Sequence, residues 1–264
     1  MRKGLRCNAI EQSRPARETG VANMPDRTAM PILSTIAFDA DDTLWHNERF
    51  FRMTHAQFTS LLADYAGPDH LEDRLLEAER RNVGRYGFGI KGFVLSMIET
   101  ALEVTQNRVP GRVIGELIAV GQEMLAHPIE LLPHARDVLE VLRGRYSLLI
   151  ITKGDLMDQE RKIAQSGLGE MFDGVEILSD KSAGAYAQVF RRRGIAPQSA
   201  MMVGNSLKSD VLPVLGLGAW GVHVPHDLTW ALEHEVAPVQ EPRFRMIDDL
   251  GHLCALVASI EAER

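Results

Sequence analysis

The residues best suited to chemistry lie in Phe38-Asp39-Ala40-Asp41-Asp42-Thr43-Leu44, directly after the apolar run Ile32-Leu33-Ser34-Thr35-Ile36-Ala37-Phe38. That run reads as a buried strand. In extended backbone, residues i and i+2 lean to the same side, so Asp39 and Asp41 arrive together at the C-terminal mouth of the strand. Such a pair suits a cation, phosphoryl chemistry, or both. The ordinary alternative is a pair of solvated loop acids, because short motifs carry a real false-positive risk. A calcium loop of the helix–loop–helix type fails on spacing. A loop starting at Asp39 would need Gly at its sixth position and Glu at its twelfth, and those positions hold Leu44 and Phe50.

The elements that must position these carboxylates follow from periodicity. From Asp137 onward, short apolar runs alternate with helical patterns. Strands are expected at Ser147–Ile151, Val175–Leu178, Ala200–Val203 and Trp220–Val224. Helices are expected over Asp155–Ser166, with acids at its start and Gly167 after it, and over Ala183–Arg193, with three arginines and then Gly194. A further helix is expected over Ser209–Leu215. This rhythm predicts an α/β fold, a doubly wound parallel sheet with helices on both faces.

Between Trp45 and about Glu130 the rhythm changes. Amphipathic stretches at Arg52–Tyr65, His70–Asn82, Lys91–Val104 and Arg112–Ala126 are separated by Gly67-Pro68, Gly84–Gly89 and Pro110-Gly111. A helical insertion is expected there. It leaves and rejoins the sheet beside the carboxylates, so it is placed to close over them as a lid. The domain reading is a core of residues 31–46 and 131–264 with a helical cap of 47–130. Residues 1–30 read as a disordered tail or an over-extended start, with Met24 and Met30 as alternative initiators; no apolar segment there resembles a secretory signal.

The chain has 264 residues and a formal net charge of -7. That charge argues for solubility and against a basic nucleic-acid surface. No apolar run approaches the ~18 residues of a membrane span. Cys7 and Cys254 are far apart in sequence and form no metal-type pair, which suits free thiols in a reducing cytoplasm.

Three more strand ends carry candidate groups. Thr152 closes Ile150-Ile151. Lys181 follows the strand at Val175–Leu178, with Lys153 as a rival cation beside Thr152. Gly204-Asn205-Ser206-Leu207-Lys208-Ser209-Asp210 follows Val203. Ligand sites in doubly wound sheets lie at this carboxyl edge. Taken together and in this order, the segments resemble the four motifs of the haloacid-dehalogenase-like (HAD) hydrolase superfamily, whose first motif is Asp-x-Asp-x-Thr. The resemblance covers about Ile32–Phe50 and Glu130–Val224. An insertion between the first and second motifs is similar to the C1-capped subgroup.

The resemblance implies a Rossmann-like core, an aspartyl-phosphate intermediate and Mg2+. It makes Asp39 the nucleophile and Asp41 the general acid and base, with Thr43 orienting the loop. Thr152 would hydrogen-bond the phosphoryl group, and Lys181 would offset its charge. Asp39, the backbone carbonyl of Asp41, Asn205 and Asp210 are the implied metal ligands. Three departures stand out: Asp42 where many members have Gly, Lys181-Ser182 where many read Lys-Pro, and Asn205 where relatives have an acid. The neutral amide remains an oxygen ligand for a hard cation.

For substrate binding, Arg85, Tyr86, Phe88 and Lys91 stand in a Gly-rich, aromatic and cationic segment, Asn82–Lys91, with the cations suited to an anionic group and Tyr86 or Phe88 to a ring. Its bland reading is a helix connector. Trp45 and His46 follow the first motif. The leading expectation is a Mg2+-dependent phosphatase of a small phosphorylated metabolite. The alternatives are a 2-haloacid dehalogenase, a phosphomutase, or a catalytically idle binding protein on the same fold. Asp41 argues against the dehalogenase, whose relatives generally lack that second acid.

Overall fold

Strand β1 (Thr35–Phe38) is buried at all four positions, as expected of a strand covered on both faces. It lies at the centre of the sheet. In the computed structural model, which describes residues 32–263, β1 pairs in parallel with β2 (Ser147–Lys153) on one side and β4 (Ala200–Gly204) on the other. β3 (Gly174–Leu178) extends the sheet beyond β2. β5 (Trp220–His223) and β6 (Phe244–Met246) extend it beyond β4. The order is β3-β2-β1-β4-β5-β6 and every pairing is parallel. The chain therefore reverses its direction of sheet growth at β1, which makes the carboxyl end of β1 the topological switch point. The expected tail (1–30) and Cys7 lie outside the described residues.

Side chains alternate strictly across the sheet. Ile36, Phe38, Leu148, Ile150, Met201 and Val203 face one layer, packed with α5 (Ala135–Leu142), α6 (Leu156–Ser166) and α9 (Leu253–Ala262). Ala37, Leu149, Ile151, Ala200 and Met202 face the other, against α7 (Ala183–Arg193) and α8 (Leu212–Leu215). This period of two makes the sheet doubly wound, with a core on each face. α6 starts on Asp155, whose side chain accepts from the Asp158 amide, and stops at Gly167 in the left-handed conformation. α7 is capped by Ser182 and ends at Gly194. The Lys181-Ser182 pair thus places a capping hydroxyl where a proline would only preset the backbone.

The helices between β1 and β2 are α1 (Glu48–Leu61), α2 (Pro68–Tyr86), α3 (Ile90–Val104) and α4 (Gly111–Ala126). They share an apolar centre of their own, including Phe58, Leu71, Leu75, Phe93, Met97 and Leu117. A Cβ on Gly121 would collide with Val94, so that glycine lets α3 and α4 pack closely. α5, α9 and β6 were not among the expected elements, and one expected helix takes another form. The segment expected as a helix from Ser209 is a π-helical turn, Leu207–Val211, running into the short α8. β6 has only three residues and carries Arg245 at its middle, so it shows no apolar run. Among the described residues, no helix is long and apolar enough to cross a membrane.

Candidate active site

The carboxyl ends of β1, β2, β3 and β4 converge on one edge of the sheet. Asp39 follows Phe38 directly, and its amide bonds the Val203 carbonyl at 2.9 Å. The chain then makes a tight turn, with the Leu44 amide on the Ala40 carbonyl at 2.8 Å and the Asp42 amide on the Trp45 carbonyl at 2.7 Å. Asp42 has φ of 59°, in the left-handed region that favours glycine. Its carboxylate offsets that strain by capping α1, accepting from the amides of Asn47 (2.8 Å) and Glu48 (3.0 Å). The departure from glycine at this position therefore has a structural reason.

Asp39 is buried, and its Oδ1 accepts from Lys181 Nζ. The same ammonium donates to Asp210 Oδ1 at 2.7 Å. Burial, only partly countered by Lys181, raises Asp39 to about 7, with Asp210 adding to the rise. Burial works against the Lys181 charge, but Asp210 and Asp39 together outweigh it and raise its pKa. Thr43 Oγ1 sits 3.3 Å from Asp39 Oδ2 and 3.4 Å from Asn205 Oδ1, and accepts from the Asn205 amide at 3.0 Å. Asp210 Oδ2 accepts from the Ser206 amide at 3.0 Å. A Cβ on Gly204 would overlap the Asp210 carboxylate, so this loop closes only with glycine there.

Asp41 is held by Lys162 and Gln159, which the sequence did not single out, and by Trp45, which it did. Lys162 Nζ lies 3.0 Å from both its oxygens, Gln159 Nε2 donates at 3.2 Å, and the buried Trp45 indole donates at 2.8 Å. Gln159 also donates to Thr152 Oγ1 at 2.6 Å, which ties the ends of β1 and β2 together through α6. The only sequence signal was an inverted helix. On α6 the polar Asp158, Gln159 and Lys162 are buried, while Leu156 and Met157 are exposed. Lys153, the rival cation, turns to Glu233 Oε1 (2.5 Å) and Ser209 Oγ (2.8 Å). Burial would raise Glu233, but Lys153, Ser206 and Ser209 hold it below the usual carboxylate range.

These groups line one cavity of about 160 Å³ between the sheet edge and the helical insertion. Its far side is formed by Glu48, Glu79, Asn82, Phe88, Ser96 and Trp230. Trp230 comes from the long connection after β5, and its indole donates to Glu79 Oε2 at 3.1 Å. Of the residues expected to bind substrate, Trp45 acts through Asp41. His46 lies outside the cavity, edge-on to His226 with ring centroids 5.8 Å apart. Arg85, Tyr86 and Lys91 do not line it either. Tyr86 donates to Glu99 at 2.8 Å, and Lys91 pairs with Asp155 at 2.9 Å, bridging the insertion to α6. The same loop instead presents Gly87, Phe88 and Gly89 to the cavity.

Glu48 gives the site a pH signature. Burial, aided by Asp42, raises it from 4.5 to about 7. Between those values the folded chain keeps a proton that the unfolded chain has released, so stability falls as pH rises through that window. Glu48→Gln is therefore expected to stabilise the protein by about 1–3 kcal/mol at about pH 8, with little effect near pH 5. Thermal unfolding at both pH values checks this; an equal gain at both would assign the effect to something other than the buried charge.

Comparison with known proteins agrees with this geometry. A glyceraldehyde 3-phosphate phosphatase from Methanothermobacter thermautotrophicus is 25% identical over 235 residues, covering 84% of this chain and 98% of that protein. The crystal structure of a haloacid dehalogenase-like family hydrolase from Xanthomonas campestris superposes with a TM-score of 0.80 at 37% identity, covering 89% of this chain and 94% of that one. The magnesium-bound YfnB protein of Bacillus subtilis shares the fold with a TM-score of 0.58 at 17% identity, covering 85% and 98%. Phosphatases and dehalogenases both occur among the structural neighbours. The family model for haloacid dehalogenase-like hydrolases matches residues 33–214, a span that holds all four strand-end segments, and the chain belongs to that family.

Proposed function

We propose that this protein is a C1-capped, Mg2+-dependent phosphatase of a small phosphorylated metabolite, acting in the cytoplasm, with residues 47–130 as the cap on a core of 31–46 and 131–264. The observation that carries the reading is the second carboxylate. Asp41 is oriented by Lys162, Gln159 and Trp45 on the same cavity as Asp39. A dehalogenase has no leaving alcohol to protonate and no use for an acid held there. The relative's action on a triose phosphate and a cavity of about 160 Å³, below the ~300–1,000 Å³ of sites for drug-sized ligands, both support a small substrate.

In this reading Asp39 attacks phosphorus and the P–O bond to the leaving alcohol breaks, giving an aspartyl-phosphate. Lys181 and Thr152 stabilise charge on the phosphoryl oxygens. Asp41 delivers a proton to the leaving oxygen, then removes one from the water that hydrolyses the intermediate.

The donor set fits a hard cation. Asp39, Asn205 and the Asp41 carbonyl offer oxygen only, the ligand type that Mg2+ prefers. Asn205 Oδ1 is engaged only by the long contact to Thr43, whereas both Asp210 oxygens already accept hydrogen bonds. Asn205 is thus the more open ligand, and Asp210 serves mainly to hold Lys181. Among the described residues no group of three or more His, Cys, Asp or Glu gathers for a metal, so the site relies on amide and carbonyl oxygens beside its carboxylates. When bound, Mg2+ would supply charge neutralisation for the phosphoryl group.

The direct test is Mg2+-dependent phosphate release from p-nitrophenyl phosphate, with halide release from 2-chloropropionate as the rival assay. Asp41→Asn sharpens it. A general acid matters most for a poor leaving group, so turnover of an alkyl phosphate should fall by ~10²–10³-fold and that of the aryl phosphate far less. Equal losses on both would make Asp41 structural.

A further inference from the structure

Glu79 and Asn82 are three residues apart on α2, so they share one helix face, and both are buried and line the cavity. Asn82 Nδ2 donates to Glu99 Oε2 at 2.8 Å and to Ser96 Oγ at 3.1 Å. A carboxylate only accepts, so this bond fixes which end of the amide is nitrogen. The other end, Asn82 Oδ1, is buried with no hydrogen-bond partner among the described residues. Buried polar groups are normally paired, and a donor on a bound molecule would complete this one. Both oxygens of Glu79 have neighbours already, the Trp230 indole at 3.1 Å and His55 at 3.6 Å. The open acceptor is therefore a neutral amide oxygen, which suits a hydroxyl better than an ammonium.

Charge narrows the substrate further. Among the described residues, nine carboxylates but only three ammonium groups line the cavity, and no arginine does. Lys181 is held by Asp39 and Asp210, Lys162 by Asp41 and Asp158, and Lys153 by Glu233. A second anionic group on the substrate would meet no free cation among the described lining residues. It would face Glu79 instead, and like-charge juxtaposition discriminates strongly against a ligand.

We propose that the cap side of the cavity selects a hydroxylated phosphomonoester that carries no second anionic group, with Asn82 reading a substrate hydroxyl and Glu79 turning away a substrate carboxylate. This rests on the phosphatase reading above and adds the substrate class. The Mg2+-loaded enzyme is assayed on p-nitrophenyl phosphate, glycerol phosphate and phosphoglycolate. Glycerol phosphate is expected to exceed phosphoglycolate in kcat/KM by at least ~10-fold, the scale of one unpaired polar group or charge. Asn82→Leu should lower the ratio of glycerol phosphate to p-nitrophenyl phosphate by about 10-fold, as expected for one lost hydrogen bond. Glu79→Gln should raise phosphoglycolate relative to glycerol phosphate by about 10-fold, through loss of one like charge. Should Asn82→Leu fail to fold, Asn82→Asp preserves the shape and should widen the preference for glycerol phosphate over phosphoglycolate. Within-protein ratios cancel a general loss of activity. Hydrolysis of p-nitrophenyl phosphate together with a preference for phosphoglycolate, or with ratios unmoved by the variants, overturns the substrate class alone. No hydrolysis of the aryl phosphate overturns the phosphatase reading, and this inference with it.

Discussion

Asp39→Asn is expected to lower turnover of every phosphomonoester by at least ~10³-fold, the scale of losing an attacking group. The amide keeps the shape of the carboxylate and its contact with Thr43, but it cannot attack phosphorus. The fold should persist, because Lys181 retains Asp210 as a partner at 2.7 Å. Stability at about pH 8 should hold or rise. Asp39 is raised to about 7 chiefly by burial, so above that pH the folded chain carries a poorly solvated charge that the amide removes. Steady-state rates and thermal unfolding of the purified variant check both halves. Near-normal turnover in a folded Asp39→Asn protein would sink the nucleophile assignment.

The central strands were legible because both faces of the sheet are covered. That makes Leu148–Ile151 and Met201–Val203 continuous apolar runs rather than alternating ones. α7 was legible end to end because its cap and its stop are local: Ser182 before it, then three arginines and Gly194. β6 was not, since an edge strand of three residues with Arg245 at its middle owes its existence to pairing with β5. The π-helical turn at Leu207–Val211 escaped for a related reason. Its shape follows from the Asp210 carboxylate folding back onto the Ser206 amide, a contact that no periodicity announces.

The site divides along the same line. Asp39, Thr152, Lys181 and Asn205 could be named from sequence because each follows a recognisable strand. The groups that orient them could not. Gln159 and Lys162 are polar residues on a helix, which point to solvent by default, yet here they are buried against Asp41. In the insertion, the segment singled out from sequence reaches the cavity through Phe88 and the glycines, whereas Lys91 spends its charge on Asp155 and Tyr86 its hydroxyl on Glu99. Glu79 and Trp230 are 151 positions apart in the chain and meet only because the connection after β5 rises to the insertion.

Lys181→Met tests the electrostatics that hold this arrangement together. Lys181 is buried between two buried carboxylates, Asp39 and Asp210. Removing one partner of a buried ion pair leaves uncompensated charge, at a cost of about 3–5 kcal/mol. The cost should depend on pH in a definite direction. Without the ammonium, Asp39 loses the group that partly counters its burial, so its folded pKa, already raised to about 7, rises further above the unfolded one. Stability is then kept near pH 5, where Asp39 holds its proton, and lost as pH rises through its folded value. Turnover should fall by at least ~10²–10³-fold, because the phosphoryl group loses a fixed cation and Asp39 becomes protonated at neutral pH. Adding Asp210→Asn to Lys181→Met removes one of the stranded charges, so it should recover part of the stability at pH 8 and none of the activity. Thermal unfolding of the wild type, the single variant and the double variant, each at about pH 5 and pH 8, separates the two contributions. If Lys181→Met destabilises equally at both pH values, packing of the lysine stem and not charge carries its structural role. If the double variant regains turnover, Lys181 is not the cation that faces the phosphoryl group.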